Sequence, residues 1–332
     1  MMMSNKQRID WIDLAKGICI ALVVYNHTPK PMGFDYTADV IAGSFRMPLY
    51  FVLSGLFFKQ YEGIMGFVKR KLNKLLIPFV FFMLFTSLVP CLIRGTSLGN
   101  YFHDFFYYRD IALNEPIWFL LCLFEVNVMF YLIQWCAKAI STKFGTAIVI
   151  ASSAVLGLLG LWLGVHRIEL PLYLDTGLSS LPFFAFGWWL FRHSRFISSP
   201  SHPVKDLAVA AGCALLVYLI ARPVAWVSND FTRANIWTTH LCGCAGTIMI
   251  LSIAKALKYL PLVSYWGRYS IIVLCTHCSI ILLLNALTRD LLTGSASVFI
   301  TFAVAMLISI PLIMFMKKYM PHVTAQKDVI KI

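Results

Sequence analysis

Long apolar runs, rather than alternating apolar and polar positions, dominate the chain. They recur from near the N-terminus to near the C-terminus, and each has roughly the 20 residues that a helix needs to cross about 30 Å of hydrocarbon. Helices of a soluble domain would carry a polar face, whereas these windows are apolar all round. The pattern therefore predicts an all-α, polytopic membrane protein.

The windows predict about ten transmembrane helices, which form one domain over residues 1–332 with no appended soluble domain. The expected spans are 12–28, 39–58, 74–93, 117–136, 146–164, 172–191, 206–222, 237–254, 269–288 and 296–316. Arg46 interrupts the second span. The first span is expected to be a retained signal anchor, because His27-Thr28-Pro29-Lys30 stands where a cleavage site needs small residues.

Charge and composition add an orientation. Hydrophobic residues make up 59% of the chain and charged residues only 13%, yet the formal net charge is +13. With the N-terminus inside, twenty of the 28 Lys and Arg residues fall in inner segments and seven in outer ones, as the positive-inside rule requires. The distribution predicts a multi-pass protein of the inner membrane with both termini in the cytoplasm. The excess charge then reflects topology and attraction to membrane lipids, and no nucleic-acid partner is expected.

The nine cysteines do not indicate a disulfide framework. Most lie within predicted spans, where a small polarizable side chain packs well. Cys275 and Cys278 have C-x-x-C spacing around His277, but no second cysteine pair is suitably placed. No metal is therefore expected.

Two basic residues stand in the first span, which is otherwise largely apolar. Lys16 and His27 are eleven residues apart, so they share one helix face with an axial separation of about 16 Å. In the simplest interpretation, Lys16 snorkels to the inner headgroups and His27 ends the helix at the outer interface. The residue types alone leave this interpretation and a functional one open.

The surrounding sequence RIDWIDLAKGICIALVVYNHT resembles the start of the acyltransferase-3 family of membrane O-acyltransferases. In that family a basic residue, ten intervening residues and a histidine mark the first span, and Lys16 and His27 fit this spacing. The nearest-looking branch holds stand-alone sugar O-acetylases and acetyltransferases of the enterobacterial-common-antigen type. That branch commonly reads F-H-M-P-L-F where this chain has Arg46, so a role for a histidine there does not carry over. Further blocks are similar in the same order: FRMPLYFVLSGLFFK, FVKRKLNKLLIPF, IWFLLCLF, LDTGLSSLPFFAFGWWL and YWGRYSIIVLCTH.

The resemblance implies transfer of an acyl group, usually acetyl from cytoplasmic acetyl-CoA, to a hydroxyl of a glycan or lipid-linked sugar of the cell envelope. His27 would then act as general base, or as a transient acyl acceptor. Lys16 would hold the charged end of the donor, since about 16 Å is roughly the reach of a pantetheine arm. A homo-oligomer is left open.

Basic residues near the inner surface are candidates for binding the donor phosphates. The same residues could instead form an ordinary positive-inside loop that contacts anionic lipid. The candidates are Lys16, Lys69, Arg70, Lys74 and Arg268.

Polar residues in the outer half of the spans are candidates for the acceptor site. Arg46 and Glu125 are expected at equal depth as an ion pair, either structural or functional. Asp175, His240 and His277 add polar groups, although intramembrane histidines often bridge helices by hydrogen bonds. Trp118 could stack on a sugar, but the favoured interpretation is an interfacial anchor.

Two further interpretations concern helix packing and a competing function. Ser54-Gly55 is expected to let helices approach closely rather than to supply a nucleophile. Buried Arg46, Glu125, His27 and His277 would also suit a proton-coupled transporter or a polysaccharide exporter. The two related halves that are typical of many transporters are not evident in the sequence.

Overall fold

The computed structural model describes residues 9–61, 63–94, 97–109, 111–221, 236–288 and 294–331. Within these ranges the regular structure is helical and no strand occurs. The α-helices are α1 (Asp10–His27), α2 (Thr37–Leu56), α3 (Gly63–Lys71), α4 (Ile77–Arg94), α5 (Leu98–Tyr108), α6 (Trp118–Ile140), α7 (Gly145–Val165), α8 (Leu174–His193), α9 (Pro203–Ile220), α10 (Ile236–Leu257), α11 (Pro261–Arg268), α12 (Ser270–Thr288) and α13 (Ser295–Tyr319). A π-helical segment, Leu72–Leu76, joins α3 to α4, and a 3-10 segment, Ala112–Ile117, precedes α6.

The described helices match the predicted hydrophobic windows. Ten of them have 18 or more residues and lie where the sequence predicts spans. Among the described residues, seven helical stretches are both long and apolar enough to cross a membrane. The chain is therefore an all-helical, multi-pass membrane protein, while ten spans and cytoplasmic termini stay predictions. Several basic residues counted for the orientation lie outside the described ranges: Lys6, Arg8, Arg222, Arg233 and Arg289.

Helices α1, α2 and α8 are not among the seven apolar stretches, although each has at least 18 residues. They carry Lys16, Arg46 and Asp175, and they lie inside the bundle. Twelve of the 20 residues of α2 and of α8 are buried, compared with two of 18 in α9. Helices surrounded by other helices do not need an apolar surface against lipid, so they can carry the polar residues of a site.

Glycine lets two pairs of helices approach each other closely. A Cβ at Gly55 of α2 would overlap the carbonyl of Phe184 in α8, and one at Gly187 of α8 would overlap the carbonyl of Val52. This confirms the prediction that Ser54-Gly55 serves helix packing. Gly17 of α1 and the glycine just before Arg268 make the same kind of contact between α1 and α11.

Candidate functional site

The structure brings His27 and His277 together. The two imidazole rings have centroids 5.2 Å apart and are inclined by 58°. His27 is half-buried in the last turn of α1, and His277 is fully enclosed in the middle of α12. The end of α1 that carries His27 therefore turns its predicted polar face toward the bundle.

The orientation of His277 is set by its own helix. Its Nδ1 lies 2.9 Å from the carbonyl oxygen of Val273. Since a carbonyl only accepts, Nδ1 donates this hydrogen bond, and in the neutral ring Nε2 then carries the lone pair. The Sγ of Cys278 lies 3.6 Å from this Nε2.

Lys30 holds the end of α1 that carries His27. Its ammonium donates to the carbonyls of Tyr25 and Asn26 at 2.7 and 2.8 Å, where a helix end leaves acceptors unsatisfied. The same ammonium lies 3.5 Å from a carboxylate oxygen of Asp39 in the first turn of α2. Burial lowers the pKa of Lys30, and the Asp39 carboxylate opposes this shift. The position of His27 is thus coupled to the start of α2.

Arg46 lies on α2 between the levels of Lys16 and His27. Its backbone carbonyl accepts a hydrogen bond from Cys19 Sγ at 3.2 Å, and Cys19 is about 12 Å below His27 along α1. Helical side chains tilt toward the N-terminus of their helix, and Arg46 Nη1 is 3.9 Å from where a Cβ on Gly43 would be. The guanidinium therefore rises from the level of Cys19 toward His27, and its Nη1 is buried without a hydrogen-bond partner among the described residues.

The predicted ion pair between Arg46 and Glu125 is wrong. Both carboxylate oxygens of Glu125 are buried without a well-formed hydrogen bond. The carboxylate interacts with the backbone N–H of Tyr173, and it lies against Gly177 of α8. Equal depth on two helices does not make their side chains meet, because Glu125 faces the first turn of α8.

Asp175 pairs with Arg109 instead. Two guanidinium nitrogens of Arg109 lie 2.9 and 3.1 Å from the two carboxylate oxygens of Asp175. The Asp175 side chain is completely buried, and that of Arg109 is 6% exposed. Arg109 also donates to the carbonyl of Leu170, and its own carbonyl accepts from the Tyr173 hydroxyl at 3.1 Å. The pair fastens the segment after α5 to the start of α8.

Sequence reasoning missed the role of Arg109. It stands in a segment that the charge distribution predicts to be outer, where it counts only as one of seven basic residues. A buried Asp175 near the top of a span requires a cation at similar depth. A search for this cation among the loop residues, as well as within the spans, would have indicated Arg109.

The interfacial-anchor interpretation of Trp118 is also wrong. Its ring is 5% exposed and packs on Tyr173, with ring centroids 5.6 Å apart. The Tyr173 hydroxyl donates a hydrogen bond to the Arg109 carbonyl. The Trp118–Tyr173 ring contact therefore belongs to the same group of interactions as the Arg109–Asp175 ion pair. Little of the indole is free to stack on a sugar.

His240 lies at another helix interface. Its half-buried ring stacks on Phe183 of α8, with centroids 5.2 Å apart and an interplanar angle of 16°. It therefore occupies the contact between α8 and α10, whereas His27 and His277 occupy the contact between α1 and α12.

One loop links Lys16 to Arg70. The ammonium of Lys16 lies 5.5 Å from the centre of the Phe57 ring, and the guanidinium of Arg70 lies 4.4 Å from that of Tyr61. Both rings belong to the segment that follows α2. Arg70 Nε is buried without a hydrogen-bond partner among the described residues. Lys69, its neighbour, is half-buried.

Arg268 lies at the same end of α1 as Lys16. It is exposed at the end of α11 and stacks on Tyr269 at 5.6 Å. A Cβ on the preceding residue, Gly267, would overlap the carbonyl of Asp13 in the first turn of α1. Arg268 therefore lies beside the turns of α1 that carry Lys16.

Lys74 is engaged with the C-terminal segment. Its ammonium lies 2.9 Å from Asp328 and donates to the carbonyl of Ala325 at 2.8 Å. Asn73 holds the same segment: its side-chain oxygen accepts from the N–H groups of residues 329 and 330, and its amide donates to the carbonyl of Ile330. Lys74 would have to leave Asp328 before it could bind a phosphate.

The described residues include one group with the composition of a transition-metal site. The ligand atoms of His27, His277 and Cys278 all lie within 4.8 Å of one another. Cys275, which shares the C-x-x-C spacing, is buried, and its carbonyl accepts from the side chain of Asn114 at 2.8 Å. The group therefore pairs Cys278 with the two histidines rather than with Cys275.

Comparison with known proteins gives one match. A family model described as an acyltransferase domain, Acyl_transf_3, matches residues 9–314. No curated protein and no solved structure shows significant similarity to the chain. The matched range contains all of the candidate site residues, from Lys16 to His277.

Proposed function

Because the chain belongs to the acyltransferase-3 family and is a membrane acyltransferase, we propose that it moves an acetyl or other short acyl group from cytoplasmic acyl-CoA to a hydroxyl of a glycan or lipid-linked sugar. The single observation that carries this proposal is the placement of His27 and Lys16 on one buried helix. His27 meets His277 inside the bundle, and Lys16 lies among basic residues at the other end of α1.

His27 is proposed to supply the base. A neutral imidazole can take the proton of the sugar hydroxyl while the oxygen attacks the thioester carbonyl. The C–S bond then breaks, and the thiolate of CoA takes up the proton from His27. In the two-step variant, the free nitrogen of His27 attacks the thioester, the C–S bond breaks, and the CoA thiolate takes the proton from the other ring nitrogen. The sugar hydroxyl then attacks the acyl-imidazole, the C–N bond breaks, and the released imidazole takes up the hydroxyl proton. His277, held in one tautomer by Val273, positions the His27 ring in either variant.

Lys16, Arg70 and Arg268 are proposed to hold the phosphates of the donor. Cations on Lys and Arg bind phosphate through charge-assisted hydrogen bonds. Arg70 has a buried N–H without a partner, and Arg268 is exposed beside α1. Since Lys16 and His27 are about 16 Å apart along the helix, the acyl end of an extended pantetheine arm would reach the imidazole.

Arg46 and Glu125 are proposed to contact the reacting groups. The unpartnered N–H of Arg46 lies below His27 on the donor side, where negative charge develops on the carbonyl oxygen during transfer. Donors aimed at such an oxyanion lower the barrier most when they are buried and already in place. The carboxylate oxygens of Glu125 have no well-formed hydrogen bond and can accept one from a hydroxyl of the sugar. Asp175 is instead paired with Arg109, and Trp118 packs on Tyr173.

Labelled acetyl-CoA added to the purified protein in detergent tests the function. With a suitable sugar acceptor we expect protein-dependent release of free CoA and label in the sugar. Replacement of His27 by alanine should abolish both, while size-exclusion behaviour and helicity stay unchanged. Flux of labelled sugar into proteoliposomes without CoA release would instead support the competing transporter or exporter.

A further inference from the structure

We propose that His27, His277 and Cys278 form a binding site for a soft divalent cation such as Zn²⁺, and that occupation of this site inhibits the protein. The binding part stands on the geometry alone. The inhibition part rests on the proposed function, because it assumes that His27 does the chemistry.

The spacing of the three side chains suits tetrahedral coordination. Zinc lies about 2.0–2.1 Å from histidine nitrogen and about 2.3 Å from thiolate sulfur, so a tetrahedral N···S edge is about 3.6 Å. The observed distance from Cys278 Sγ to His277 Nε2 is 3.6 Å. All three ligand atoms lie within 4.8 Å of one another, so a small rotation of the half-buried His27 side chain would complete the site.

His277 is already oriented as a ligand. Metal-binding histidines usually donate their other ring N–H to a carbonyl or carboxylate, which fixes the tautomer and aims the free lone pair at the metal. Here Nδ1 donates to the Val273 carbonyl, and Nε2 faces the thiol. The hydrogen bond within α12 therefore already fixes the orientation of the His277 ring before an ion binds.

The ligand set selects the kind of ion. Two imidazoles and one thiolate favour zinc and similar soft ions over Mg²⁺ and Ca²⁺, which prefer oxygen. Three protein ligands leave a fourth position for water. The nearby cations Arg46 and Lys30 act electrostatically on His27 and oppose the ion, whereas the thiolate of Cys278 offsets part of this repulsion. We therefore expect reversible binding that is weaker than that of a closed structural zinc site.

A bound ion would take the lone pair that His27 needs. An imidazole nitrogen coordinated to zinc can neither accept a proton from a sugar hydroxyl nor attack a thioester. The same three residues would thus form a switch: without the ion the imidazole is available, and with it the imidazole is blocked.

Co²⁺ spectroscopy on the purified full-length protein tests the binding. We expect about one equivalent of Co²⁺ to give visible d–d bands with a thiolate-to-cobalt charge-transfer band, both removed by Zn²⁺ and unaffected by Mg²⁺. Cys278→Ser should lose the charge-transfer band, and His277→Ala should weaken Co²⁺ binding at least tenfold. Cys136→Ser, which changes an exposed cysteine near the C-terminal end of α6, should behave like the unchanged protein. Equal spectra for Cys278→Ser and the unchanged protein would overturn the site.

Inhibition is measured against each variant's own uninhibited rate. Zn²⁺ should inhibit acyl transfer reversibly, EDTA should restore it, and Cys278→Ser should raise the inhibitory concentration at least tenfold relative to Cys136→Ser. Equal sensitivity of the two variants would overturn inhibition through this site. If the protein transfers no acyl group at all, the proposed function fails, while the Co²⁺ spectra still decide the metal site.

Discussion

At the scale of the residue, several candidate site residues carry buried polar atoms without partners among the described residues. Arg46 Nη1, Arg70 Nε and both oxygens of Glu125 are buried without well-formed hydrogen bonds to described residues. Such groups cost free energy in an apolar interior unless something satisfies them. In the Arg109–Asp175 ion pair, the same residue types contact each other and join two segments of the fold.

Replacement of Arg46 tests its proposed role at the oxyanion. Arg46→Gln should lower kcat for acyl transfer by about 10²–10³-fold, the loss typical for one removed oxyanion donor, and leave the KM for acyl-CoA nearly unchanged. Arg46→Lys, which keeps the charge, should retain more activity. Arg268→Gln offers the contrast, since it should raise the KM for acyl-CoA. A rise in KM without a fall in kcat for Arg46→Gln would place Arg46 in ground-state binding instead.

The Arg109–Asp175 pair is expected to stabilise the fold. Asp175→Asn removes the closest, fully buried counter-charge of the Arg109 guanidinium and leaves, among the described residues, only the half-exposed Glu169 at 3.9 Å. Loss of a buried partner typically costs about 3–5 kcal/mol, so the thermal unfolding temperature in detergent should fall by several degrees. Asp104→Asn, which changes an aspartate whose side chain is half-exposed, should leave it unchanged. A normal melting temperature with lost activity would show that Asp175 belongs to the acceptor site.

At the scale of the element, hydrophobic length predicted where the long helices lie in the sequence. It did not predict which helices pack against each other. Each predicted span corresponds to a described helix, since apolar length and few charges are written in the sequence. The short helices α3 and α11 were not predicted because they are not long enough to span. The wrong Arg46–Glu125 pair has a similar origin: helical rise gives the depth of a residue, whereas the facing of two helices depends on packing between distant segments.

The close approach of α2 and α8 gives a prediction about packing. Gly55→Ala places a methyl group against the Phe184 carbonyl, and such overpacking typically costs about 1–3 kcal/mol. Thermal unfolding should therefore occur at lower temperature. Gly212→Ala is the matched control, because nothing lies within 4 Å of its Cβ position on α9 and alanine favours the helix by about 1 kcal/mol. Equal melting temperatures for the two variants would show that α2 and α8 can separate without cost.

At the scale of the whole molecule, the orientation of the bundle rests on the distribution of charge. Single cysteines placed at Asp104 and Lys205 in a cysteine-free background test it with a membrane-impermeant thiol reagent. Asp104→Cys should react in intact cells, and Lys205→Cys only after permeabilisation, since the positive-inside rule places the two on opposite sides. Reaction of both positions in intact cells, or the reverse order, would contradict cytoplasmic termini.

The whole-molecule arrangement also explains how far the site was predictable. The spacing of Lys16 and His27 placed a cation and an imidazole on one face of α1, and the structure turns the upper end of that face toward His277 and the lower end toward Phe57. The contact between His27 and His277 joins residues 250 positions apart, and no local pattern indicates it. Local periodicity therefore predicts which residues share a face of α1, while tertiary packing decides what that face contacts.

The central claim is that His27 performs the transfer and does not merely support the fold or bind the donor. Single-turnover acyl transfer and acetyl-CoA binding should be measured side by side on the unchanged protein and on His27→Ala. Loss of a general base typically slows transfer by about 10²–10⁴-fold, so we expect a fall of this size with acetyl-CoA affinity within about threefold. Transfer at the unchanged rate, or a loss of donor affinity that accounts for the whole loss of rate, would contradict the claim.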